Sequence, residues 1–503
     1  MSTTRPTEQG VASGQGVASS APTQPDSALS TRHSALAHDD KAYVWHPFTQ
    51  MAEYAAEEPL VVAAGEGSYL IDVDGRRYLD GVSSLWVTVH GHRKAEIDAA
   101  IAAQLGRIAH STLLGIANVP SIELARRLVA LAPPGLTKVF YAENGASAVE
   151  IALKMAFQYW QLKGETGRTR FLSLQNAYHG DTLGAVSVGG IEEFHARFGP
   201  LLFPALHAPS PYCYRCPLGL EYPGCTGTGA PACAEELGRL LAAHRDEVAA
   251  VIVEPLVQGA AGMLTQPPGY LRRVRELCDE YGTLLIADEV AVGFGRTGRL
   301  FACEHEDVTP DLLVVGKGIT GGYLPLSAVL TTQAIYDAYL GDYAEMKHLF
   351  HGHTYTGNPL CCAAALANLD LFEQERTVER LGPKIARLAR GLERFRALPH
   401  VGEVRQRGFM VGIELVGDRT TRAPYPTAAR IGGRVIAAAR RRGAVLRPLG
   451  DVIVLMPPLS ISDAELDELL AITYASIGEV TGEPSAISYQ PSADGLPGLK
   501  AEG

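Results

Sequence analysis

Thr283–Asp288 reads TLLIAD and Leu312–Lys317 reads LLVVGK. Each is a short run of Leu, Ile, Val and Ala that stops on a charged residue. Runs of this length and composition are expected of strands buried on both faces. Working outward, Thr137–Tyr141, Arg170–Leu174 and Ala249–Val253 read the same way, the last followed by Glu254. Helical patterns lie between them. Val149, Leu153, Ala156 and Trp160 recur at helical spacing in Ala146–Trp160, as do Leu271, Val274 and Cys278 in Tyr270–Tyr281. Alternation of this kind predicts an α/β fold, with a mostly parallel sheet flanked by helices. Leu60–Asp80 predicts a small β-meander turning at Asp74-Gly75. After Leu360, helical patterns with strands at Met410–Leu415 and Val452–Met456 predict a smaller C-terminal α/β domain.

The chain has 503 residues, long enough for a large core and a second domain. Residues 1–40 and 481–503 carry few large apolar side chains and are expected to be disordered tails. Residues 41–95 are expected to join the small domain, 96–360 to form the large domain, and 361–480 the C-terminal small domain. The formal charge of −11 argues against a nucleic-acid partner, which calls for a basic face. No apolar run approaches a membrane span. Eight cysteines in this length are no disulfide scaffold, and the N-terminus lacks the apolar stretch of a secretory signal, so a cytoplasmic location is expected.

Open α/β sheets bind ligands beyond the carboxyl ends of their strands. Glu254, Asp288 and Lys317 each follow a strand, and Tyr141 is followed by Ala142-Glu-Asn-Gly-Ala-Ser147 and a helix. Neighbouring strands would bring two acids, a lysine and a helix N-terminus to one crevice. Helix N-termini favour phosphate. A lysine forms Schiff bases and an aspartate keeps a pyridinium nitrogen protonated. This is equipment for pyridoxal phosphate (PLP).

Other patterns need weighing. Gly293-Phe-Gly-Arg-Thr-Gly298 matches the dinucleotide fingerprint, but no helix pattern follows it and no acid stands about twenty residues on. The pairs His90/His92 and His351/His353 lack further ligands and are expected in loops around the cofactor. Cys213, Cys216, Cys225 and Cys233 form a C-x2-C-x8-C-x7-C run. Its first half has zinc-knuckle spacing and its second half does not. Zinc, a redox-sensitive thiol cluster and ordinary loop cysteines all stay open, and no metal is expected at the active site.

The stretch from Leu285 through Gly293–Gly298 to Gly316-Lys-Gly318 resembles the class III (fold-type I) PLP aminotransferases, and the resemblance runs over residues 43–478. Within the family, Trp45–Gln50, Gly81–His92, Ala177–Thr182 and Leu446–Gly450 are similar to the branch that converts 8-amino-7-oxononanoate to 7,8-diaminononanoate in biotin synthesis. The resemblance implies a homodimer with a shared active site. Lys317 would hold the cofactor covalently and shuttle a proton, and Asp288 would bind the pyridinium nitrogen. Gly145 and Ala146 would take the phosphate. Tyr178 would lie on the ring face with Asp181 supporting it, and Glu254 would face the same crevice. His353 and Thr354 would reach the cofactor of the partner subunit. Arg447 would pair with the substrate carboxylate, and Phe48, Leu85, Trp86 and Gly352 would line the substrate channel. Relatives that use S-adenosylmethionine as donor usually carry Tyr and Trp where this chain has Phe48 and Leu85, so the resemblance favours lysine. Another ω-amine:oxo-acid aminotransferase is the nearest rival reading.

Overall fold

The computed structural model describes residues 27–226 and 230–482. The chain divides into two compact units, one of residues 65–70 with 77 onward, the other of 71–76 with the residues up to 64. In the smaller unit, Ser27–Tyr43 is a helix. The expected N-terminal tail is therefore shorter than 1–40. Poverty in large apolar side chains does not exclude a helix where alanine, leucine and charged residues favour one, and Ala37 is buried there. Residues 1–26 and 483–503 lie outside the described residues. Asp40 accepts hydrogen bonds from Tyr54 Oη at 2.6 Å and from His46 Nε2 at 3.0 Å, tying this unit's helix to the chain that follows it. The strands expected between Leu60 and Asp80 form at Val62–Glu66, Tyr69–Asp72 and Arg77–Asp80.

The large unit holds a seven-stranded sheet. Its strands in chain order are β1 (Leu136–Ala142), β2 (Arg170–Leu174), β3 (Leu206–Ala208), β4 (Val248–Val253), β5 (Leu284–Asp288), β6 (Leu312–Val315) and β7 (Ser327–Thr332), and they lie side by side as β1-β7-β6-β5-β4-β2-β3. Pairing is parallel throughout except around β7, which runs against both neighbours. Every residue of β4, β5 and β6 is buried, as expected of central strands covered on both faces. Each such Val, Leu or Ile contributes about 1.5–3 kcal/mol through removal from water. The strand β7, SAVLTT, was not foreseen.

Register sets up the site. Ala287 pairs with Val253, and Asp288 with Val314. Glu254, Asp288 and Lys317 therefore leave the sheet at one carboxyl edge. Helix α1 (Gly145–Leu162) starts at the same edge and covers one face with Val149, Ile151, Leu153 and Trp160. A second, antiparallel sheet joins Val401–Arg407, Met410–Leu415, Val452–Leu455 and Arg447–Leu449. The layers expected within 96–360 and 361–480 both belong to the larger unit. No helix among the described residues is long and apolar enough to cross a membrane.

Candidate active site

A cavity of about 750 Å³ opens at the carboxyl edge of the large sheet. Lys317 lines it, two residues beyond the end of β6. Its backbone is in the left-handed region, φ 43°, which a non-glycine residue adopts only under constraint. The two residues that follow it are held by Asn368, whose Nδ2 donates to the carbonyls of Gly318 and Ile319, each at 3.0 Å. Lys317 Nζ lies 4.8 Å from the centre of the Trp86 ring. Burial holds the ammonium below the usual lysine range, with the negative charges of Asp288 and Glu254 pulling the other way. A larger share of free amine near neutrality results, which is what a nucleophilic lysine needs.

Asp288 is buried at the end of β5. His179 Nδ1 donates to Asp288 Oδ2 at 2.7 Å, and the Val290 amide donates to Oδ1 at 3.1 Å. His179 is itself buried, and its Nε2 has no partner among the described residues. Glu254 accepts from the amides of Tyr178 at 3.1 Å and Gly259 at 2.8 Å. Burial still pushes its carboxyl up to about 7. Tyr178 Oη donates to Asp181 at 2.7 Å.

The start of α1 forms the opposite wall. Asn144 Oδ1 caps the helix by accepting from the Ser147 amide at 2.9 Å. Amides of a helix's first turn lack internal acceptors, and Gly145 and Ala146 line the cavity. The backbone here is close-packed. A Cβ on Gly145 would come within 2.7 Å of Val290 Cγ1, and one on Gly180 within 2.4 Å of Ala146 Cβ. A lysine amine, a buried aspartate and a glycine-start helix in one cavity fit the carbonyl, the ring nitrogen and the phosphate of PLP.

Of the other expected residues, Trp86 and Leu85 line this cavity. Arg447 is half-buried on its strand and lies outside the lining, although its charge reaches Tyr178. Burial lowers its proton affinity, and among the described residues it has no ion-pair partner. Gly352, His353 and Thr354 also stay outside the lining, with Gly352 and Thr354 exposed. His353 Nδ1 donates to Glu143, a lining residue, at 2.5 Å. Phe48 is an exposed residue of the smaller unit. His90 and His92 face Glu375 at 3.6 Å and Asp80 at 2.9 Å. The Gly293–Gly298 stretch is a turn, followed by a four-residue 3-10 segment at Ala302–His305 and not by an α-helix. Its Arg296 is fully buried, donating to the carbonyls of Pro457 and Thr88 at 2.7 and 2.8 Å. His179 and Asn368 were missed. His179 stood inside the Tyr178-His-Gly-Asp181 motif but carried no role, and nothing local marks Asn368.

The family described as aminotransferase class-III matches residues 51–476. An adenosylmethionine-8-amino-7-oxononanoate aminotransferase of Nitratidesulfovibrio vulgaris is 58% identical over 90% of this chain and 83% of its own. One of Geobacter sulfurreducens is 55% identical, over 88% and 97%. The crystal structure of the enzyme of that name from Methanocaldococcus jannaschii superposes with a TM-score of 0.84 at 50% identity, covering 89% of this chain and 99% of the other. A PLP-bound amine transaminase from an uncultivated Pseudomonas species gives 0.83 at 41% identity, over 87% and 99%.

Proposed function

This chain belongs to the class III aminotransferases, and on that premise we propose that it transfers an amino group to 8-amino-7-oxononanoate, giving the 7,8-diamine used in biotin synthesis. The observation that carries the reading is the meeting of Lys317, Asp288 and the Gly145–Ala146 helix start in one cavity, in a chain that shares 50–58% identity with proteins named for this reaction.

Pyridoxal phosphate is the cofactor, and when bound it supplies the carbonyl and the electron sink for amino-group exchange. The protein's own residues do the rest. Lys317 offers a free amine and later carries a proton to and from the substrate carbon. Asp288 would hold the proton at the ring nitrogen, and His179 holds Asp288. Gly145 and Ala146 would take the phosphate. Trp86 sets its ring beside Lys317. Arg447 would meet the substrate carboxylate with its planar fork.

The working unit is a homodimer in this reading, with His353 and Thr354 of the partner subunit completing the phosphate site. Thr354 is exposed and is not among the residues lining the chain's own cavity, which supports it. The enzyme is placed in the cytoplasm, with small-molecule substrates as its partners. Lysine is the donor we favour. Leu85 lines the cavity and is 45% exposed, so it offers no aromatic face to an adenine. The names of the relatives favour S-adenosylmethionine instead.

Purified holoenzyme incubated with 8-amino-7-oxononanoate and each donor separately tests both points. Mass spectrometry should find 7,8-diaminononanoate with lysine. Product with S-adenosylmethionine alone reverses the donor, and turnover only of simple oxo-acids such as pyruvate overturns the substrate.

A further inference from the structure

The four cysteines of the loop after β3 have no place in the chemistry above, yet the fold gathers them. Cys213 and Cys216 come from a turn, Cys225 from a short 3-10 segment (Gly224–Thr226) and Cys233 from the first turn of the helix Ala232–Ala243. All four line one small cavity with Tyr212 and Pro267, remote in the chain from the Lys317 site. All are free thiols; Cys233 is buried and the others half-buried. The stretch between Pro211 and Pro231 has no strand among its described residues and only that one short 3-10 segment. Its start is held from outside: Tyr212 Oη donates to Glu414, as does Arg215 Nε at 2.8 Å, and the Arg422 guanidinium donates to the Tyr214 carbonyl. Its interior converges on the four thiols, with Leu218, Leu220 and Tyr222 beside them.

We propose that these four cysteines are a structural site for a thiophilic divalent cation, zinc by preference. Long loops without secondary structure in compact domains need a reason to hold one shape. Four sulfurs from three chain segments are the ligand number and kind of a closed tetrahedral zinc site. The Cys213-x2-Cys216 pair has knuckle spacing, and Cys225 and Cys233 supply the second half across a longer turn. Among the described residues no group of three or more potential ligands is set in metal-holding geometry as the chain stands. Binding therefore has to draw the sulfurs inward, and the half-buried Cys213, Cys216 and Cys225 are the ones with room to move. Each bound thiol gives up its proton to solvent, so the metal replaces protons without any redox step.

The test uses reduced, PLP-loaded enzyme. Elemental analysis should find one zinc per chain, retained through dialysis. Cobalt exchanged for it should give a thiolate charge-transfer band and strong tetrahedral visible bands. The Cys213→Ser, Cys216→Ser double variant should lose the metal while keeping the cofactor's absorbance, and Cys216→His alone should keep the metal. If the double variant does not fold, cobalt spectra of the wild type decide alone. Wild type that takes up neither zinc nor cobalt overturns the proposal. So does zinc retained by the folded double variant, or peptide mapping that finds the four residues paired as disulfides in enzyme kept reduced.

Discussion

His179 Nδ1 donates to Asp288 Oδ2 at 2.7 Å, between two side chains buried from solvent at the end of β5. The ring fixes one carboxylate oxygen, and the Val290 amide bonds the other. His179→Asn should keep the fold and the cofactor but let Asp288 turn. A hydrogen bond to a charged group is worth about 1.5–3 kcal/mol, so kcat should fall roughly 10- to 100-fold. The pH dependence of the bound cofactor's visible band should shift as well. A variant with an unchanged profile and unchanged kcat would show that Asp288 is held without this histidine.

Among the described residues, Lys317 is the only lysine lining the cavity. Borohydride reduction of the holoenzyme followed by peptide mass mapping should place the cofactor on Lys317. Lys317→Ala should abolish turnover while leaving the far-UV spectrum intact. A tag on another lysine removes Lys317 from the mechanism.

Arg447 is half-buried without a counter-charge among the described residues, and burial already lowers its proton affinity. A waiting anion explains such a site. Leaving a buried carboxylate unpaired costs on the order of 3 kcal/mol. Arg447→Ala should therefore raise the oxononanoate KM by about 100-fold with a smaller change in kcat. Arg447→Lys should rescue little, since an ammonium cannot bond bidentately. Steady-state kinetics in which KM does not move would assign Arg447 to the strand surface.

Three strand ends were legible because the apolar runs of β4, β5 and β6 lead directly to charged residues: Val253 before Glu254, Ala287 before Asp288, Gly316 before Lys317. Periodicity carries that information locally. β7 was not legible, because SAVLTT has polar ends and takes its direction from pairing with Leu312–Val315 and Leu136–Ala142. Asn368 and His179 act across long sequence separations, on the Lys317 turn and on Asp288, and no local spacing announces such contacts. Thr354 was read as a phosphate ligand through the family resemblance, and a single chain leaves it exposed.

Gly180 tests the close packing around the helix start. Its φ of 123° is open to glycine and strained for other residues, and an added Cβ would lie 2.4 Å from Ala146 Cβ. Gly180→Ala should cost about 2 kcal/mol or more, through backbone strain and overpacking. It should also loosen cofactor retention, because Ala146 is the residue displaced. Gly199→Ala, where a Cβ meets nothing within 4 Å, is the control. Thermal melts and cofactor release on gel filtration measure both effects. Equal behaviour of the two variants would mean that the helix start yields without consequence.

Glu254 gives the enzyme a pH-dependent stability of definite sign. Burial raises its carboxyl from the ordinary 4.5 to about 7; the His179 charge opposes the shift and the Asp288 charge adds to it. The folded protein thus binds this proton more tightly than the unfolded chain. The resulting stabilisation is fully present below about 4.5 and is lost as pH rises through about 7. At 1.36 kcal/mol for each unit, the window spans at most ~3.4 kcal/mol. Glu289 is also raised to about 7 by burial, although the hydrogen bonds it accepts from the amides of Ala302 and Cys303 oppose the shift, and it adds a second contribution in the same direction. Glu254→Gln keeps one acceptor for the Tyr178 and Gly259 amides and has no proton to lose. Its Tm should fall less than the wild type's between pH 5 and 8, and Glu254→Gln with Glu289→Gln should flatten the curve further. Parallel curves for wild type and Glu254→Gln would mean that Glu254 ionises as easily in the folded protein as in the unfolded chain, and the buried carboxyl would then have no part in the pH response.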